Sequence, residues 1–154
     1  MNSPSKNLLL LLGAAACAIS GCGGDPFGLG KTAPVSGIIM IGDVPLHTGI
    51  VTFLPDAARG NKTPHQPSAN IDESGKYALF TVGKAAAPLG WYKVQIMAFE
   101  TDKDLEKRAK SPGQTGRPTK SLIDPKYEDP KTTPLAIEVV ENPVPQAYDF
   151  KLSR

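Results

Sequence analysis

Two cysteines and two histidines are the side chains of this 154-residue chain best suited to covalent or metal chemistry. Cys22 has the most informative surroundings, because it follows a run of twelve mostly apolar residues at 8–19 and then the small pair Ser20 and Gly21. A thiolate is a strong nucleophile, so a cysteine placed there is a candidate for covalent modification. Cys17 lies inside the apolar run and is expected to serve as a small apolar residue.

The sequence from Ile19 to Cys22 resembles the bacterial lipobox, in which an aliphatic residue and two small residues precede a cysteine. The resemblance implies that the sulfur of Cys22 receives a diacylglyceryl group. It also implies cleavage between Gly21 and Cys22, followed by acylation of the new amine, with palmitate as a typical chain. Two or three chains hold a protein firmly at a membrane, whereas one does so only marginally.

The remaining reactive residues do not form a recognisable catalytic pattern. His47 and His65 lie 18 positions apart, without the further ligands that a zinc site requires, so both are expected at the surface. The segment 72–75 is expected to be a hairpin turn rather than a calcium loop, because it lacks the alternating oxygen ligands. We predict no catalytic residue, no cofactor and no metal. An enzyme would require acidic residues from separate loops to converge around a metal, as Asp56, Asp72 and Asp124 would have to do.

The N-terminal segment is read as targeting sequence. Lys6 precedes an apolar run that is shorter than the roughly 20 residues needed to span a bilayer. We therefore assign residues 1–21 to a lipoprotein signal peptide, with a simple membrane-anchor helix as the alternative. Residues 22–33 are rich in glycine and are assigned to the lipidated cysteine and a flexible tether. Residues 34–154 remain for one folded domain.

The composition of the chain favours short strands and many turns. Glycine and proline each occur 15 times, and aromatic residues are few, so the core is expected to consist of isoleucine, valine, leucine and alanine. Lys6 is the only charged residue before Cys22, which leaves 16 basic and 15 acidic residues in the mature chain. This balance argues against a nucleic-acid partner and against a polybasic membrane patch.

Seven segments alternate apolar and polar residues or form short apolar runs bounded by turn residues. They are residues 35–41, 49–54, 68–72, 76–82, 90–99, 135–140 and 146–152. This spacing predicts an all-β domain, a seven-stranded antiparallel β-sandwich. Gly42 and Asp43 are expected to close the first hairpin. Trp91 and Tyr92 fall on opposite faces of their strand, so one is expected in the core and the other is a candidate for an exposed binding aromatic.

Residues 100–134 interrupt this regular spacing of strand-like segments with a long, charged, turn-rich stretch. Residues 102–110 have the composition of one or two helical turns, and residues 111–120 are expected to be flexible. A structureless loop of this length is uncommon in a compact domain. The stretch is therefore either a solvated crossover between sheets or a contact loop held by a rigid scaffold.

Several motifs in this order resemble the small exported lipoproteins of planctomycetes. The motifs are APVSG at 33–37, DVPL at 43–46, GIVTFLP at 49–55, DESGKY at 72–77, PLGWYKV at 88–94 and IDPKYEDP at 123–130. These proteins are similar to carboxypeptidase regulatory-like domains. The resemblance covers about residues 33–152 and implies an Ig-like, transthyretin-type sandwich. It implies no catalytic residues.

The leading functional hypothesis is a non-enzymatic module that binds protein or polysaccharide at the cell envelope. The chain would be exported and lipid-anchored to a bacterial membrane, facing the periplasm or the cell surface. The alternative is a passive structural or spacer lipoprotein without a specific ligand. A metal-dependent enzyme is the third hypothesis. No feature of the sequence indicates an oligomeric state.

Overall fold

The computed structural model describes residues 25–101, 103, 104, 106 and 120–153, and this part of the chain is all-β, as predicted. The strands are β1 Thr32–Ala33, β2 Ser36–Ile41, β3 Val44–Pro45, β4 Ile50–Pro55, β5 Ser68–Asn70, β6 Lys76–Ala78, β7 Ala87–Pro88, β8 Gly90–Met97, β9 Ala136–Val139 and β10 Phe150–Leu152. Two short 3₁₀ helices, Ala57–Arg59 and Pro125–Tyr127, lie between strands. The predicted signal peptide at residues 1–21 and the predicted lipid attachment site at Cys22 lie outside the described residues.

The strands form two four-stranded sheets and one small two-stranded sheet. The first sheet has the order β5-β4-β8-β9 and is antiparallel throughout. In the second, β2 pairs with β10, β3 and β6. The pairing of β10 with β2 is parallel, so the expectation of a purely antiparallel arrangement is wrong at this position. β1 and β7 form the two-stranded sheet.

Period-two alternation correctly separates the two faces of the longest strand. Tyr92, Val94 and Ile96 are fully buried, whereas Met97 on the other face is exposed. The predicted hairpin at Gly42 and Asp43 is confirmed, because Ile41 pairs with Val44 across it. The φ of Gly42 is 62°, a conformation that glycine adopts at little steric cost.

The strand predicted at residues 76–82 divides between the two large sheets. β6 pairs with β2, but Phe80 pairs with Ser68 at the end of β5. Both faces of this segment carry apolar side chains, but only one is covered, since Tyr77 and Leu79 are buried while Phe80 is exposed. Alternation reports which side chains face the core, and it does not report which strand lies alongside.

The two large sheets share one core, and aromatic side chains lie at its centre. Phe53 of the first sheet contacts Tyr77 and Phe150 of the second, with ring centroids 6.4 and 6.2 Å apart, and Tyr92 of its own sheet at 5.8 Å. Most buried side chains are aliphatic, as expected, but aromatic rings occupy the centre of the core. Burial raises the pKa of Tyr77, whose hydroxyl donates to the carbonyl of Tyr148 at 2.7 Å.

The folded domain begins earlier than predicted, so the assignment of a flexible tether is wrong within residues 25–33, the part of that segment that the structure describes. Leu29 is buried, and β1 pairs with β7. The carboxylate of Asp25 accepts hydrogen bonds from the N–H groups of Phe27 at 3.3 Å and Gly30 at 2.5 Å. Glycine-rich composition indicated flexibility, but here the glycines support a closed turn, with φ near 60° at Gly28 and Gly30.

The C-terminal part of the predicted long loop is held against the first sheet. Ile123 and Tyr127 are buried, and the hydroxyl of Thr133 donates to the carbonyl of Val94 at 2.7 Å. Ser121 pairs with Phe99. Lys103, Asp104 and Glu106 are helical, in agreement with the helical turns predicted for residues 102–110. The predicted flexible segment 111–120 lies outside the described residues, except for Lys120.

The strand register defines two ends of the domain, which we call proximal and distal. The proximal end contains Leu29, the β1–β7 sheet and the start of β8 at Gly90. At the distal end β8 finishes at Met97, which pairs with Ile50. Eight strand residues separate these ends by about 25 Å.

Val82 lies at the tip of a two-residue hairpin at the proximal end, in a strained conformation. Thr81 and Lys84 exchange N–H···O=C hydrogen bonds of 2.8 and 3.0 Å. The φ of Val82 is 39°, followed by 80° at Gly83. A β-branched residue is poorly suited to positive φ, whereas asparagine tolerates it.

Val82→Asn is expected to raise the free energy of unfolding by about 1 kcal/mol, because it relieves this strain. Chemical denaturation would measure the gain. Val44→Asn is the matched control, since Val44 is an exposed valine beside the other two-residue hairpin. A gain of the same size in both variants would contradict the assignment of strain to Val82.

Candidate functional site

A polar cleft of about 830 Å³ opens at the distal end. It is formed by the segment after β3, by the turn that follows β5, and by the start of the helical segment beyond β8. Its lining residues are His47, Thr48, Ile71, Asp72, Glu73, Thr101, Lys103 and Asp104. Ile71 is the only buried side chain in this set, so the cleft combines an apolar floor with polar and charged walls.

Backbone geometry brings two walls of the cleft together. Gly49 has a φ of 129°, and a Cβ at this position would lie 2.6 Å from the carbonyl oxygen of Met97. Ile71 donates its N–H to the carbonyl of Gly49 at 2.9 Å. The absence of a side chain at Gly49 therefore lets the segment containing Thr48 lie against the end of β8.

The carboxylate of Asp72 holds its own hairpin turn closed. It accepts hydrogen bonds from the hydroxyl of Ser74 at 2.7 Å and from the N–H groups of Ser74 and Lys76 at 2.8 and 3.0 Å. These donors lower the pKa of Asp72. The interpretation of residues 72–75 as a hairpin turn is confirmed, since these contacts satisfy one carboxylate oxygen locally.

Asp104 joins the helical segment to the histidine of the opposite wall. Its Oδ2 accepts from the N–H of Thr101 at 2.9 Å and from the Thr101 hydroxyl at 2.7 Å, while its own N–H donates to that hydroxyl at 3.4 Å. This reciprocal arrangement is a helix capping box. The same oxygen lies 3.1 Å from Nε2 of His47. The Thr101 donors and then His47 lower the pKa of Asp104.

The contribution of Asp104 to stability is expected to depend on pH. A carboxyl group with a lowered folded-state pKa stabilises the fold above its unfolded pKa of about 3.9 and loses this effect as the pH falls toward the folded value. Asp104→Asn should therefore be less stable than the wild type at pH 6, with a difference that shrinks progressively below pH about 4. Thermal unfolding across this range would test it, and a difference independent of pH would contradict the assignment.

An exposed ion pair crosses the mouth of the cleft. Nζ of Lys103 lies 3.0 Å from Oε1 of Glu73, and both side chains are largely in water. Exposed pairs of this kind are weak because water competes for both charges. Each charge can therefore turn toward a ligand at small cost.

The remaining predicted site residues are dispersed. His65 lies toward the proximal end, where its Nε2 donates to the carbonyl of Phe27 at 2.8 Å, so the two histidines have different partners. Asp56 and Asp124 each cap a 3₁₀ helix by accepting a backbone N–H. In the part of the chain that the structure describes, no three His, Cys, Asp or Glu residues are grouped so that they could hold a metal ion.

The pair Trp91 and Tyr92 divides as the strand pattern predicts. Tyr92 is fully buried, and its hydroxyl donates to the carbonyl of Pro88 at 2.8 Å. Trp91 is half-buried, with the guanidinium carbon of Arg59 4.5 Å from its ring centroid. One face of Trp91 is therefore already covered by a cation.

Sequence reasoning did not identify the distal cleft. Thr101 and Asp104 carry a local signal, since threonine followed three residues later by an acid is the pattern of a capping box. The meeting of Asp104 with His47, 57 residues away in the chain, has no such local signal.

Comparison with family models, curated proteins and solved structures gives no match for this chain. Within residues 25–101, 103, 104, 106 and 120–153, no helix is long and apolar enough to cross a membrane.

Proposed function

We propose that this chain is an exported lipoprotein, anchored to a bacterial membrane through a lipid on Cys22, and that its domain is a non-enzymatic binding module with the distal cleft as its binding site. The lipobox-like sequence before Cys22 supports the anchor. Two four-stranded sheets around one core support a β-sandwich of the transthyretin type. The proposed location is the periplasm or the cell surface.

The position of the cleft relative to the chain start is the observation that carries this proposal. Leu29, the first buried residue in the part of the chain that the structure describes, follows Cys22 by seven positions and lies at the proximal end. The cleft lies at the other end of β8, about 25 Å away. A lipid on Cys22 would therefore hold the proximal end near the bilayer and present the cleft to the envelope.

The chemistry of the cleft favours binding over catalysis. Asp72 and Asp104 are held by hydrogen bonds within their own turns, which leaves them poorly placed to exchange protons with a substrate. The open arrangement of hydroxyl, carboxylate and ammonium groups suits a hydroxyl-rich polysaccharide or a polar protein segment. Ile71 provides an apolar floor for such a ligand.

Thr48→Arg is expected to weaken binding at least tenfold, about 1.4 kcal/mol, by filling the cleft with a bulky cation. The lipidated protein on vesicles would be titrated separately with isolated envelope polysaccharide and with solubilised envelope proteins. Ala136→Arg is the control, because Ala136 is exposed on β9 and does not line the cleft. Saturable wild-type binding that only Thr48→Arg weakens would support the proposal. The absence of saturable binding to either fraction would favour a passive spacer.

A further inference from the structure

We propose that the proximal end docks directly onto the lipid bilayer, with Phe27 and Val82 inserted among the lipid headgroups. This inference rests on the proposed lipid anchor and adds an orientation to it. The partner is a bilayer surface, recognised by two apolar side chains on hydrogen-bonded turns and by a neighbouring cation.

Phe27 is held outward from the domain. Its side chain is 52% exposed, although its backbone is fixed on both sides. Asp25 accepts the N–H of Phe27 at 3.3 Å, and His65 donates to the carbonyl of Phe27 at 2.8 Å. Since the turn is already ordered, placing this ring in a bilayer interface requires little further loss of conformational freedom.

Val82 is the second apolar group at this end. Its side chain is 45% exposed, and its positive φ keeps it at the tip of the hairpin between Thr81 and Lys84. In water, the exposed part of this isopropyl group has no apolar neighbour, so it offsets little of the strain of its backbone. Contact with lipid would provide an apolar environment for it.

Phe27, Val82 and Lys84 line one cleft of about 500 Å³, so the two apolar groups and the cation belong to one surface. Asp25 lines the same cleft, where its carboxylate accepts the N–H groups of Phe27 and Gly30. Lys84 is exposed, and lysine at a membrane interface places its ammonium among the headgroups while its methylene chain lies along apolar surface. The surface therefore has the mixed character of a bilayer interface rather than that of a polybasic patch.

The length of the chain between Cys22 and this surface identifies the bilayer as its partner. Phe27 follows Cys22 by five residues, which span at most about 18 Å when fully extended. The interfacial layer on each side of a bilayer is itself about 5–8 Å thick. A lipid on Cys22 would thus keep Phe27 within reach of the headgroups, whereas the distal end lies about 25 Å further along β8.

The test uses the full-length precursor, processed in cells and reconstituted into phosphatidylcholine vesicles that contain acyl-chain-brominated lipid. Val82→Cys would carry an environment-sensitive fluorophore, and Val44→Cys the same fluorophore at the distal end. Both positions are exposed valines: Val82 lies within a two-residue hairpin, and Val44 directly follows one. Phe27→Cys provides a second proximal label should the Val82 variant fold poorly.

We expect brominated lipid to quench the proximal labels at least twofold more than the label at position 44. Two results would overturn the docking proposal but leave the lipid anchor in place. They are equal quenching at both ends, and no proximal quenching in protein whose mass shows a diacylglyceryl adduct on Cys22. If Cys22 carries no diacylglyceryl adduct, its free thiol will react with the fluorophore, in addition to the introduced cysteine. That result would contradict the lipid anchor and the docking that rests on it.

Discussion

Phe53→Ala is expected to lower the free energy of unfolding by about 3–5 kcal/mol, because it removes a fully buried ring from the centre of the core. The ring of Phe53 contacts aromatic side chains from both large sheets, Tyr77 and Phe150 among them. A domain of this size is stable by only about 5–15 kcal/mol. The variant should therefore be close to unfolding at physiological temperature.

Urea denaturation followed by the fluorescence of Trp91 would measure this loss. Phe80→Ala is the matched control, since Phe80 is 53% exposed and an exposed substitution usually changes stability by less than about 0.5 kcal/mol. Similar losses in the two variants would contradict the assignment of Phe53 to the junction of the two sheets.

Cys22→Ala is expected to abolish incorporation of labelled palmitate into the protein, because alanine has no sulfur to accept a lipid. Cleavage between Gly21 and Cys22 should also fail, so the variant should retain residues 1–21 and have a higher mass. Metabolic labelling followed by immunoprecipitation and intact-mass measurement would show both effects.

Cys17→Ala is the matched control for this experiment, since Cys17 is the only other cysteine of the chain. It should leave labelling and mature mass unchanged, because position 17 would be removed with residues 1–21. Labelling that persists in Cys22→Ala would contradict the proposed attachment site, as would labelling that is lost in Cys17→Ala.

Local patterns in the sequence were sufficient to sort side chains onto the two faces of several strands. Alternation grouped Tyr92, Val94 and Ile96 on one face, and it grouped Phe150 and Leu152 on one face near the C-terminus; both groups are buried. Burial of alternate side chains is a property of each strand alone, so it can be predicted without knowledge of the neighbouring strands.

Strand pairing and the shortest elements could not be predicted in the same way. The parallel contact of β10 with β2 joins residues more than 100 positions apart, and no local pattern specifies it. β1 and β7 contain two residues each, too few to show any periodicity. Leu29 lies in a glycine-rich segment whose composition suggested a tether, although Asp25 closes that segment into a turn.

The distal cleft shows the same limit for function. Its residues come from three separate segments, and their proximity follows from the pairing of β4, β5 and β8. The individual residues are ordinary surface threonines, acids and a lysine. Only their common position, at the end of the domain opposite Leu29 and the β1–β7 sheet, suggests a binding site.

In-cell photo-crosslinking from the cleft would test the central proposal most directly. A photoreactive residue would replace Thr48 in the full-length protein, and the same residue would replace Ala136 in the control; captured partners would be identified by mass spectrometry and by carbohydrate staining. We predict a reproducible adduct from position 48 that is missing from position 136. If both positions capture the same abundant envelope components, and no adduct is specific to position 48, a binding role for the cleft is contradicted. A passive spacer would then be the better description.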